Sequence, residues 1–196
     1  MIEKKFIEMK KNEFAIKGFI KQELGKGKIS EVKIERTPIG ERIILFTSRP
    51  GVIIGRKGES IQRLTDVLKK QFKMENPKIE IAEIEKVDFD AQTVADQIAL
   101  SLERFGSSSF KIISYKFLDR IKKAGALGAE IILSGKLPSA RARTWRFHFG
   151  YLCKTGYPTI FVNSAKAVAE TKPGIVGVKV YILPSDAKIL DKVEVK

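Results

Sequence analysis

The chain has 196 residues, 37 Lys and Arg against 23 Asp and Glu, and a formal net charge of +14 at pH 7. That length makes one large domain or two small ones, and a hydrophobic content of 43% excludes wholesale disorder. The single cysteine excludes an intramolecular disulfide and a Cys-rich zinc site, and fits a reducing compartment. No apolar run approaches the ~20 residues of a membrane span, and the opening residues mix both charge signs, unlike a signal peptide. The expectation is a cytoplasmic, strongly basic globular protein whose partner is a polyanion, nucleic acid ahead of an anionic membrane surface. Solubility alone asks for a net charge of only ~2–8 in a small domain.

In chain order, residues 1–24 read as a helix whose apolar positions are Phe6, Phe14, Ile16, Phe19, Ile20 and Leu24, stopped by Gly25-Lys26-Gly27. Val32 and Ile34 alternate with charged neighbours in a strand over 29–36, Thr37-Pro38-Ile39-Gly40 makes a turn, and a second strand runs over 42–47. Ile61, Leu64, Leu68 and Phe72 mark an amphipathic helix, and Ile79, Ile81 and Ile84 mark a strand after the Asn76-Pro77 break. The order is helix, strand, strand, short helix, helix, strand. The pattern changes near Val87-Asp88-Phe89-Asp90, which sets a domain boundary between 1–87 and 88–196.

Beyond it, Ala91, Val94, Ile98, Leu102 and Phe105 form one helical face, with Asp90 at the N-cap and Gly106-Ser107-Ser108-Ser109 at the end. A second helix covers 110–124, closed by Gly125, and strands follow over 130–134, 144–152 and 176–183. Val176, Val178, Val180 and Ile182 line one face of the last strand and apolar residues also stand on the other, so it is read as central or well covered. Two helices followed by strands predict helices packed on one face of a mainly antiparallel sheet, and an α+β class overall. Residues 1–90 carry a net +5 and residues 91–196 a net +9; no acidic residue occurs from Ile131 to Ala169.

The most informative stretch is Arg49-Pro50-Gly51-Val52-Ile53-Ile54-Gly55-Arg56-Lys57-Gly58-Glu59-Ser60. Gly55 and Gly58 bracket Arg56 and Lys57; glycine lets backbone approach a sugar-phosphate chain closely, and the helix that follows turns its free N–H groups and positive dipole end the same way. The alternative is an ordinary glycine turn between two helices. On the 110–124 helix, Phe110, Ile113, Phe117, Leu118, Ile121 and Ala124 fall on one side at about 100° per residue. Lys111, Lys116, Arg120, Lys122 and Lys123 fall on the other, offset only by Asp119, as either a solvated face or a polyanion-binding one. Arg141, Arg143 and Arg146 interleave with Trp145 and Phe147; strand alternation places Arg141 and Arg143 on the aromatic face, for stacking on bases or beside a core edge.

Catalytic chemistry finds no support. There is no Gly-x-x-x-x-Gly-Lys-Ser/Thr loop. His148, the single histidine, stands among Phe147, Phe149 and Tyr151 and reads as structural, and Cys153 has no second Cys. Asp88 and Asp90 are closely spaced carboxylates, but Asp90 stands where a helix N-cap belongs, and the cap is favoured over acid–base chemistry. Neither a cofactor nor a metal is expected, and the chain is not expected to be an enzyme.

Residues 13–86 resemble a type II K-homology domain, whose Gly-x-x-Gly loop clamps a nucleic-acid backbone. The run from Arg49 to Glu59 is similar to the signature of the family of protein three of the small ribosomal subunit. So are Asp90-Ala-Gln-Thr-Val-Ala-Asp-Gln-Ile-Ala, Leu102-Glu-Arg, Gly125-Ala-Leu-Gly-Ala-Glu-Ile-Ile-Leu-Ser-Gly-Lys-Leu, Ala142-Arg-Thr and Lys172-Pro-Gly-Ile-Val-Gly-Val-Lys-Val. The short form and the Thr37-Pro-Ile-Gly turn look archaeal.

The resemblance implies an N-terminal type II K-homology domain, a basic C-terminal α+β domain and a non-enzymatic, structural role in the subunit head. Its implied partners are 16S-type ribosomal RNA, messenger RNA and neighbouring head proteins, with no membrane, on the cytoplasmic ribosome. The helix bearing Lys111, Lys116 and Arg120, with Lys122 and Lys123, would look toward the channel through which messenger RNA enters. The family usually has Phe-Arg-Arg where this chain has Phe110-Lys111-Ile112, one positive charge fewer, and an acidic residue where Trp145 stands.

Overall fold

A computed structural model of the chain describes residues 2–37, 40–72, 74 and 77–187. They divide into two units, Met1–Glu85 and Lys86–Lys196. The first runs α1 (Ile2–Leu24), β1 (Glu31–Thr37), β2 (Gly40–Thr47), α2 (Pro50–Ile54), α3 (Glu59–Phe72) and β3 (Lys78–Glu83), the order the sequence predicts. β1 pairs antiparallel with β2, and β2 pairs parallel with β3. A parallel pair needs a crossover, and α2 and α3 supply it. Ile20, Ile43, Leu45, Ile53 and Leu68 are buried in one core, each contributing roughly 1.5–3 kcal/mol relative to exposure.

Only the C-terminal part of α1 joins that core, through Ile16, Ile20 and Leu24. Phe6 and Phe14, expected among its packing positions, are exposed. Phe14 points away from the buried stripe, and Phe6 precedes Ile16 by about three turns. Pro38 and Ile39 of the expected turn, and Asn76 of the expected break, lie outside the described residues.

The second unit runs α4 (Ala91–Phe105), α5 (Phe110–Lys123), β4 (Gly128–Gly135), β5 (Arg143–Gly150), β6 (Asn163–Thr171) and β7 (Gly174–Leu183). Asp90 caps α4, its carboxylate accepting the Thr93 backbone N–H at 3.0 Å. The sheet order is β5-β4-β7-β6, antiparallel throughout, so β7 is central as its sequence suggests. α4 packs on β6 and β7, and α5 on β4 and β5, so both helices cover one face. Ile98, Leu102, Phe110, Ile121, Ile131, Leu133 and Val180 are buried between the layers.

Four expectations are corrected here. Phe105 is exposed at the end of α4, and Ala124 is exposed past the end of α5. His148 is exposed, because strand alternation turns it to the face the helices leave open. β6 was not anticipated at all; its inward residues are Ala165, Ala167 and Ala169, whose strand propensity is poor.

Across β2 and β3 of the first unit, Arg42 Nε donates to Glu80 Oε2 at 2.7 Å, and Lys78 Nζ lies 3.2 Å from Glu80 Oε1. The hydrogen bond from Arg42, then that from Lys78, holds the Glu80 carboxyl below its ordinary range. A depressed folded pKa means that this contribution to stability is present above the ordinary Glu pKa and is lost as pH falls through the folded value. The Glu80 carboxyl resonance should therefore titrate at lower pH than an ordinary Glu, and Arg42→Gln should move its midpoint upward; a midpoint unmoved by that substitution would contradict the pairing.

Candidate nucleic-acid interface

The crossover between β2 and β3 delivers Gly55, Arg56, Lys57 and Gly58 to a loop between α2 and α3. Gly55 has φ 70 and ψ −175, a region open essentially only to glycine. A Cβ there would stand 2.3 Å from Ser60 Oγ, so the loop also closes tightly on the start of α3. Lys57 holds a left-handed conformation at φ 53 and ψ 23, which costs a non-glycine residue about 1–2 kcal/mol. Arg56 and Lys57 are both exposed, and among the described residues neither meets a carboxylate at ion-pair distance. The first N–H groups of α3 open on the same loop. Backbone strain and two unpaired cations thus coincide where the sequence places phosphate contact.

In the second unit, α5 is fixed by its apolar face. Phe110 lies 5.2 Å from Trp145 and 6.2 Å from Phe147 between ring centroids, and Tyr115 meets Phe147 edge-on at 5.2 Å. Ser114, buried, satisfies its hydroxyl by donating to the Phe110 carbonyl at 2.8 Å. Lys111, Lys116, Arg120, Lys122 and Lys123 are all exposed, as the periodicity requires. They do not act alike. Lys111 lies over the Trp145 ring, 5.2 Å from its centroid. Lys116 and Lys123 border a groove of about 900 Å³ with Phe105, Ile112 and Phe117. Arg120 is tied down: its Nε lies 2.5 Å from Asp88 Oδ1 and its guanidinium donates to Gln97 Oε1 at 3.1 Å. Sequence reasoning missed that pair because its partners stand on different elements, far apart in the chain.

The arginines of β5 do not form one surface. Arg141 precedes the strand, while Arg143 and Arg146 fall on opposite faces, since side chains alternate. Trp145 and Phe147 pack against the core cluster rather than lying open for stacking. The expectation of a joined Arg141–Arg143–Arg146 patch is therefore corrected by the strand's phase. Among the described residues no group of three or more His, Cys, Asp or Glu side chains could hold a metal ion, and no helix is long and apolar enough to cross a membrane.

Residues 15–90 match the family described as KH domain, and residues 98–182 match Ribosomal protein S3, C-terminal domain. The small ribosomal subunit protein uS3 of Methanocaldococcus jannaschii is 40% identical over the whole chain and 94% of its own length. That of Archaeoglobus fulgidus is 41% identical over the whole chain and 84% of its own length, and that of Methanococcus maripaludis 37% over the whole chain and 92%. The chain belongs to the uS3 family. These uS3 relatives are archaeal, in keeping with the form the sequence suggests. The Gly55–Gly58 loop lies inside the KH match, and α5 with the four-stranded sheet falls almost wholly inside the uS3 C-terminal match.

Substitution should separate the two loop glycines. Gly55→Ala forces both a closed conformation and a clash, and is expected to cost about 1–3 kcal/mol. Gly58 has φ 78 with open space around its Cβ position, so Gly58→Ala is expected to cost only about 1–2 kcal/mol. Chemical denaturation of both variants checks the order; equal costs would contradict the geometry of Gly55.

Proposed function

We propose that the chain is a structural, RNA-binding constituent of the small ribosomal subunit, seated in the subunit head on 16S-type ribosomal RNA and neighbouring head proteins. In this reading α5 faces the channel through which messenger RNA enters, and the protein works on the cytoplasmic ribosome. The names of its full-length relatives support the subunit, and the non-enzymatic character of that family supports a binding role. The observation that carries the reading is the open face of α5. Lys111, Lys116, Lys122 and Lys123 stand on a helix whose other side is buried, and among the described residues no carboxylate lies at ion-pair distance from any of them.

The mechanism is electrostatic and steric. Lysines neutralise phosphates and release their counterions. The Gly55–Gly58 loop lets a backbone come close, and Arg120, held by Asp88, positions α5 rather than reaching for RNA. Ile112, 74% exposed, interrupts the cationic face where the family usually carries an arginine, so the grip on incoming RNA rests on the lysines. With ~6–10 phosphate contacts, affinity for ribosomal RNA falls ~10³–10⁵-fold between 50 mM and 200 mM salt.

Sedimentation of a cell lysate, with the chain quantified across the gradient, is expected to give near one copy per small subunit after a moderate-salt wash. Recovery mainly as free protein would replace this reading with that of a stand-alone assembly factor. Replacing Lys116, Lys122 and Lys123 by Gln, with Lys111 kept for its place over the Trp145 ring, should leave the unfolding midpoint in place and weaken crosslinking of messenger RNA on assembled subunits. Arg120→Gln should do the reverse, lowering stability by up to about 1 kcal/mol with crosslinking retained; loss of crosslinking only in Arg120→Gln would sink the division of roles.

A further inference from the structure

The face of the four-stranded sheet turned away from α4 and α5 carries a row of cations that sequence order conceals. Ile132 of β4 stands opposite Arg146 of β5 on one side and Lys179 of β7 on the other, and Lys179 stands opposite Lys166 of β6. Arg146, Ile132, Lys179 and Lys166 thus form one line across all four strands. Neighbouring strands lie about 4.8 Å apart, so the two lysines are adjacent and the arginine is two strands beyond them. All three cations are exposed, and none meets a carboxylate at ion-pair distance among the described residues.

Two features set this row apart from a solvated sheet face. Like charges directly opposite each other destabilise a sheet, yet Lys166 and Lys179 are paired in register. A soluble surface also intersperses both signs, whereas the buried carboxylate in the next row, Glu130, is taken by Lys154. The cationic row is left uncompensated for folding and available to an external anion.

We propose that this outer sheet face, through Arg146, Lys179 and Lys166, docks the ribose-phosphate backbone of double-helical RNA. The proposal rests on the reading of the chain as RNA-binding and adds a surface separate from the loop and from α5. Double-helical rather than single-stranded RNA follows from what the row lacks. Its central residue is Ile132, so no aromatic ring stands between the cations to stack on a base, and the nearby Tyr181 ring already has Lys154 over it at 5.8 Å. What remains is recognition of phosphates by cations aligned across one sheet face, the mode suited to an A-form helix whose bases are turned inward.

The test uses the full chain, with Arg146→Gln, Lys166→Gln and Lys179→Gln combined. The control has equal charge loss on α1, Lys4→Gln, Lys5→Gln and Lys21→Gln. Binding to a plain A-form RNA duplex and to single-stranded polyuridine is measured across a salt series. The sheet variant should lose about 2–3 from the log–log salt slope on the duplex, keep its polyuridine binding, and unfold at or above the parental temperature because repulsion is relieved. The α1 control should keep both. An unchanged duplex slope overturns the sheet proposal while leaving the RNA-binding reading intact, and an equal loss in the control overturns it as a bulk-charge effect. Failure of the sheet variant to join small subunits with its duplex slope unchanged also overturns it, in favour of an acidic protein partner. A parental chain whose binding to both RNAs ignores salt defeats the underlying reading itself.

Discussion

The second unit depends on one close approach between backbones. Gly128 of β4 and Gly150 of β5 are register partners. A Cβ on Gly128 would stand 2.0 Å from the Tyr151 carbonyl oxygen, and one on Gly150 would stand 2.2 Å from that of Leu127. The Tyr151 N–H donates to Leu127 O at 3.1 Å, and the Leu127 N–H donates to Leu183 O at 3.0 Å. This pinch admits no side chain, so it fixes the pairing. A slip of one residue would turn Ile131 and Leu133 out of the core and would also move Trp145 and Phe147 off Phe110. The seat of α5 and the alignment of Ile132 with Arg146 are therefore consequences of the same two glycines.

Much of the scaffold was legible because helices advertise themselves locally. Ala91, Val94, Ile98 and Leu102 recur at helical spacing behind the Asp90 cap, and the structure buries all four. The loop of Gly55 to Gly58 was equally visible, since a left-handed or closed backbone demands glycine at identifiable positions. What failed was information spread across the chain. β6 hid because its inward residues are alanines, which announce neither strand nor core. Phe6 and Phe14 misled because hydrophobicity alone does not say how far a helix extends beyond the body that covers it.

The basic residues divide in the same way. Periodicity put Lys111, Lys116, Arg120, Lys122 and Lys123 on an outer face, and all are exposed. It could not see that Asp88 removes Arg120 from the free cations, because that depends on a tertiary contact. In the strand, a two-residue period separates Arg143 from Arg146, and the contact of Trp145 with Phe110 assigns its ring to the core. Lys166 and Lys179 carried no signal of their own, because their nearness is a property of sheet register rather than of sequence.

The order of strands in this sheet also has a consequence in time. α4 packs on β6 and β7, the last of the described elements of the unit to leave the site of synthesis. At about 5–20 residues per second, the interval between completing Phe105 and completing Leu183 is roughly 4 to 16 seconds. Until β7 is complete, β6 lacks the strand it pairs with, so Ile98 and Leu102 lack the part of the sheet on which α4 packs. A nascent chain with these side chains uncovered is open to aggregation, so the unit is vulnerable until β7 arrives. The central place of β7 thus makes its own arrival the event that closes the core.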